Sequence, residues 1–141
     1  MSEKFPDYFI RGISSKDFIA DGQVLHMAFH FETFERDDNK QEASINWLDD
    51  DGAIDVALSQ RKENGKIQFQ AGVAKVNVEV VKLILKNLQN HPLSYERAPL
   101  EGNTYHGNLL IDVDIPKHTK NMILYGLALA AGTNIIPQNN I

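Results

Sequence analysis

Residues 92–115 read PLSYERAPLEGNTYHGNLLIDVDI, and the fold turns on how this stretch is parsed. A strand-like run comes first, then a centre rich in Pro99, Gly102, Asn103 and Gly107, residue types that reverse a chain. Beyond the centre, Leu109, Ile111, Val113 and Ile115 recur at a period of two, the spacing of a strand with one buried face. The segment therefore reads as a hairpin. Its apex gathers Tyr95, Glu96, Arg97, Asn103, Tyr105 and His106, and loops held by a rigid scaffold are where function collects.

The flanks follow from periodicity. Val81, Ile84, Leu85 and Leu88 keep helical spacing with Lys82 and Lys86 outside, which predicts a helix over 78–89 that stops before Pro92. A last helix begins between Pro116 and Thr119 and ends at Gly132, a favoured residue just past a helix. Its run MILYGLALAA is apolar on nearly every side, which predicts burial. Gly126, Ala128 and Ala130 would let it approach a sheet closely.

Nearer the start, Asp21-Gly22 marks a turn, and Leu25, Met27, Phe29 and Phe31 then alternate, predicting a strand over 25–32. Residues 43–48 continue the pattern with Ile45 and Trp47 on one face, so Trp47 reads as a core aromatic. The charged connection 35–41, ERDDNKQ, joins the two as a surface loop, and antiparallel pairing across it is expected. Asp51-Gly52 is a hairpin signal. Against it, Ile54, Ala57, Leu58 and Arg61 fall at helical spacing behind an acidic cluster suited to a helix start, which favours a helix over 53–62. Asn64-Gly65 then turns the chain into a strand over 67–76, with Gly72 a candidate bulge. The fold class expected is α+β: one domain over 1–141, a mostly antiparallel sheet of four to six strands with two or three helices on it.

Composition narrows the partners. A net charge of −5 argues against non-specific binding to nucleic acid or anionic membrane, both of which need a basic surface. The longest apolar run, residues 122–131, is far shorter than the roughly 20 residues that span a bilayer. The N-terminal MSEKFPDYF has no apolar core of a secretion signal, and there is no cysteine for disulfides, thiol catalysis or thiolate metal sites. A cytoplasmic location is the expectation.

Several side chains invite chemistry. His26 and His30 suggest a shared metal, but on a strand their Cα atoms would lie roughly 13 Å apart, too far for one ion, so no metal site is expected. His106, between Tyr105 and Gly107, has the makings of a general acid or base, and Gly107 would let a ligand or backbone come near. Tyr95, Glu96, Arg97 and His118 are its candidate companions, and an Arg–His–Tyr set suits phosphate or carboxylate recognition. The competing reading has Asn103 and His106 hydrogen-bonding the turn itself. Ser44 and Asn46 face away from Trp47 and can line a cleft or meet solvent. Asp112 and Asp114, in LIDVDIPK, read as solvent-facing strand carboxylates rather than a nuclease pair. No phosphate-binding loop, dinucleotide fingerprint, nucleophile elbow or zincin motif occurs, and no cofactor is expected.

Asp21-Gly22, Ala28-Phe29, Ser44-Ile45-Asn46-Trp47, Gly72-Val73-Ala74 and residues 99–108, PLEGNTYHGN, form a pattern along most of the chain. In that pattern the chain resembles a type of short, uncharacterised bacterial protein. The resemblance implies a bacterial or phage origin and one compact domain, and no activity.

Two functional readings stand at this level. The first is a small acidic binding or accessory protein of antitoxin, immunity or defence type, acting through a protein partner with Tyr95, Arg97, Asn103, Tyr105 and His106 as contacts. The second is a small hydrolase or transferase on a phosphorylated substrate, with His106, Arg97 and Tyr105 or Tyr95 as its catalytic set. A subunit of a larger assembly or a homo-oligomer stays open, and would show an exposed apolar patch.

Overall fold

The computed structural model describes residues 4–34 and 36–139; the first residues of the N-terminal stretch and Glu35 of the charged connection lie outside them. In chain order the strands and helices are β1 Tyr8–Ile13, β2 Ile19–Ala20, β3 Gln23–Val24, β4 Glu32–Thr33, β5 Lys40–Trp47, α1 Gly52–Ser59, β6 Gly72–Asn77, α2 Val78–Ile84, β7 Ser94–Arg97, β8 His106–Asp112, α3 Lys117–Ala131 and β9 Ile135–Ile136. Among the described residues, seven strands form one antiparallel sheet in the order β7-β8-β5-β1-β6-β9, with β4 on the same flank of β5 as β1. The chain is an α+β domain. Strands β2 and β3 make a separate ribbon across Asp21 and Gly22, both at positive φ (52° and 76°), as a two-residue hairpin requires.

The two faces of the sheet carry different loads. On one, Phe9, Ala43, Ile45, Trp47, Val76, Leu109 and Ile111 pack with Val81 of α2 and Ile123 and Leu127 of α3. On the other, α1 covers Ile10 and Val73 through Ala57 and Leu58, while Asn46, Asn108 and Leu110 are buried on the β5–β8 part and Ser44 is left exposed. Residue alternation predicts this split: Ala43, Ile45 and Trp47 point one way, Ser44 and Asn46 the other.

Local chemistry sets the ends. The acidic cluster does open a helix: Asp50 Oδ1 accepts from the Gly52 amide at 2.8 Å. Asn77 caps α2, its side chain accepting from Val80 N at 3.1 Å. Gly132 ends α3 at φ 55°.

Five expectations need correction. Residues 25–32 are not a strand: His26–Ala28 form a 3-10 turn, Ala28 and Phe29 are buried side by side, and only Glu32 and Thr33 reach β5. The reason lies on β5, whose flank is shared. β1 pairs at Asn46 and Trp47, β4 at Gln41 and Glu42, and the gap between is closed by a side chain. Arg11, buried, donates Nη1 to the Ser44 carbonyl at 2.7 Å and Nε to the Ala28 carbonyl at 2.8 Å. The strand expected over 67–76 starts only at Gly72, whose φ of 99° turns it in. α2 stops at Ile84, not at 89. Finally, α3 is not buried all round: Met122, Tyr125 and Leu129 are 43, 59 and 64% exposed. Gly126 packs against Ile84 at the end of α2 and its C-cap Leu85, not against the sheet.

Candidate functional site

The sheet face beside α1 is the floor of a cleft of about 690 Å³, within the range of ligand sites. Ile10, Gly12, Ser44 and Asn46 form the floor, Asp55, Val56 and Ser59 of α1 one wall, Phe69 the end, and residues 100–103 with His106 the other wall. The lining is mainly apolar. Two carboxylates, Asp55 and Glu101, line it, and no lysine or arginine does among the described residues.

Each wall is pinned. Asn46 donates Nδ2 to the Ala53 carbonyl at 3.2 Å and accepts from Asn103 Nδ2 at 2.9 Å, tying α1 to the opposite loop across the floor. Leu100 and Asn103 exchange backbone bonds of 3.0 Å around Glu101-Gly102, with Gly102 at φ 80°. Asn103 Oδ1 also accepts from the Tyr105 amide. At the far end Phe69 lies flat on Gly12, where a Cβ would come 2.4 Å from the ring. Gln68 and Gln60 bond to each other through side chains and through backbone, and Gln138 donates to the carbonyls of Leu58 and Phe69.

His106 faces Asn46 across β5–β8 and lines the cleft. Its Nδ1 lies 2.7 Å from the Ala98 carbonyl, which can only accept, so the proton sits on Nδ1. Nε2 is left as the acceptor nitrogen of the ring.

The other sequence candidates go elsewhere. Arg97 pairs with Gly107 and so leaves the strand on the side opposite to His106. It makes a two-pronged ion pair with Asp49 at 3.0 and 2.7 Å, which lowers the Asp49 carboxyl below the ordinary range. Tyr105 donates its hydroxyl to Asp50 at 2.7 Å, and that bond pushes the phenol up. Tyr95 packs beside Trp47 and Phe5 with centroids 5.9 and 6.1 Å away; burial raises it to about 12. Glu96 accepts from Arg36 and Asn108. Gly107 admits a neighbouring strand and the core: a Cβ there would lie 2.3 Å from Trp47 Nε1 and 2.5 Å from the Glu96 carbonyl, to which Trp47 Nε1 donates at 3.1 Å.

Of the named residues, His106 and Asn103 thus meet in the cleft with Ser44 and Asn46, while Tyr95, Arg97 and Tyr105 buttress it from outside. His30 bonds Glu32 at 3.1 Å, His26 stacks on Tyr125 with centroids 4.2 Å apart, and Asp112 pairs with Lys40 at 2.6 Å. Val56 and Phe69 were not foreseen as lining. Nothing local marks them, because their role depends on where α1 and the Gly72 turn place them. No protein family, curated protein or solved structure matches the chain.

Proposed function

We propose that this chain is a binding protein whose cleft takes an apolar side chain of a protein partner, next to a basic residue of the same segment. The observation that carries it is the lining: apolar side chains of Ile10, Val56, Phe69 and Leu100, carboxylates at Asp55 and Glu101, and, among the described residues, no lysine or arginine. Burying one large apolar side chain there contributes about 2 kcal/mol. Asp55 and Glu101 favour Lys or Arg beside it, and the acidity of the whole chain speeds a basic partner's approach. His106 Nε2 and the Asn46–Asn103 amides supply acceptors and donors that fix the segment's orientation.

An anionic, phosphorylated ligand would find no lysine or arginine among the described residues of the cleft, and Arg97 is held by Asp49. The binding reading therefore fits the lining better than the phosphoryl-transfer one.

Selection from a random peptide library displayed on phage tests this. The expected enrichment is for sequences with a Leu, Phe or Met next to Lys or Arg, lost when Leu100→Asp and Val56→Asp variants are used as bait. Enrichment of acidic or phosphomimetic peptides, or enrichment indifferent to both variants, overturns the proposal.

A further inference from the structure

Donors and acceptors do not balance where β5 meets β8. The two strands pair Ser44 with Asn108 and Asn46 with His106, which sets these four side chains as a square on the cleft face of the sheet. Three of them spend a donor on a group outside the square: Asn46 Nδ2 on the Ala53 carbonyl, His106 Nδ1 on the Ala98 carbonyl, and Asn108 Nδ2 on Glu96 at 2.8 Å. Glu96 is itself held by Arg36, so the Asn108 amide keeps its nitrogen toward β7 and its oxygen turned back from it. That oxygen is buried, in a residue only 3% exposed, and has no hydrogen-bond partner among the described residues. A buried acceptor left open in this way calls for an explanation. His106 Nε2 is a second acceptor of the square, whereas Asn46 Oδ1 is already taken by Asn103.

We propose that the corner formed by Ser44, His106 and Asn108 seats a primary ammonium, the end of a lysine in the partner segment. The inference rests on the cleft being the binding surface, and it assigns the basic residue of that segment to lysine rather than arginine. The corner offers single acceptor atoms, so it selects a group rich in donors and turns an anion away. An ammonium carries three donors on one compact centre and no acceptor. A guanidinium is a planar fork matched to a carboxylate, and the carboxylate of this corner, Glu96, is occupied by Arg36 and Asn108.

Ser44 is the way in, since it is exposed and lines the cleft. Its hydroxyl turns among staggered positions, and one that faces the residue directly opposite gives its proton to Asn108 Oδ1. The lone pairs of Ser44 Oγ then face the cleft together with His106 Nε2. These two residues are diagonal neighbours about 7 Å apart, close enough for one nitrogen with bonds of about 2.9 Å to bridge their side chains.

Calorimetric titration with three peptides, alike except for lysine, acetyl-lysine or arginine beside one leucine, tests the seat. Wild type is expected to bind the lysine peptide about tenfold more tightly than the acetyl-lysine one, and more tightly than the arginine one. Ser44→Ala and Asn108→Leu should bring the ratio of lysine to acetyl-lysine affinity near one, while Val56→Asp weakens all three peptides alike. Ser44→Ala alters an exposed side chain, so it carries the test even where Asn108→Leu does not fold. Equal binding of the three peptides to wild type, abolished by Val56→Asp, overturns the seat and leaves the cleft reading standing. A preference for arginine, or a lysine preference untouched by Ser44→Ala, also overturns it, the open acceptor then serving water. No binding of any peptide overturns both.

Discussion

Gly107 shows what one absent atom does. The Trp47 indole lies against its backbone, so the hairpin closes on the core only because position 107 has no side chain. Gly107→Ala should cost about 2 kcal/mol as an overpacking change, read as a lower urea midpoint with Trp47 emission shifted to the red. Arg11 is the second such position. Burial lowers its guanidinium to about 10, yet it stays charged at neutral pH and donates to the Ala28 and Ser44 carbonyls. Arg11→Met should cost about 2–4 kcal/mol, since both carbonyls lose their donor, and a variant as stable as wild type would contradict this account of the β5 flank. Neither role was legible in the sequence. Alternation said which face Trp47 takes, and it was right, but a period names no partner. His106 was readable as the unusual residue of the loop. That Ala98 fixes its tautomer depends on pairing across β7 and β8.

At the scale of elements, legibility tracked how local the cause was. The Asp21-Gly22 turn, the start of α1 behind its acids and the end of α3 at Gly132 are decided within a few residues, and all stand where the sequence put them. Residues 25–32 had the alternation of a strand, but β1 and β4 divide the flank of β5, and no local signal reports that a neighbour's edge is taken. The loop over 100–103 is likewise held from a distance, by Asn103 on Asn46. Asn103→Ala should leave global stability within about 1 kcal/mol. The Leu100 and Asn103 amides, which now exchange backbone bonds, should then lose hydrogen-exchange protection selectively. Unchanged protection there would mean the turn alone shapes that wall of the cleft.

On the scale of the molecule, charge is divided unevenly: acids and bases fill the first 120 residues and none follow. Much of the pairing converges on Arg36, which donates to Asp38, Glu42 and Glu96 and so ties the connection before β5 to β7. Those bonds lower Asp38 from 3.8 to about 2 and lower Glu96 from 4.5. A carboxyl depressed in the folded state binds its proton more readily when unfolded. Its stabilisation is therefore present above about pH 4.5 and lost as pH falls toward 2. Urea midpoints should fall across that window in wild type, and less steeply in Arg36→Gln; equal slopes would show that the Arg36 cluster does not carry the effect.

The central claim is that the cleft between α1 and the 100–103 loop is the binding surface. Amide chemical-shift mapping tests it most directly, with a peptide of one leucine flanked by two lysines titrated into labelled protein. The account predicts shifts concentrated at Asn46, Val56, Leu100, Asn103 and His106, with His106→Phe weakening binding about three- to tenfold. Shifts confined to Met122, Tyr125 and Leu129, or none at saturating peptide, would contradict it.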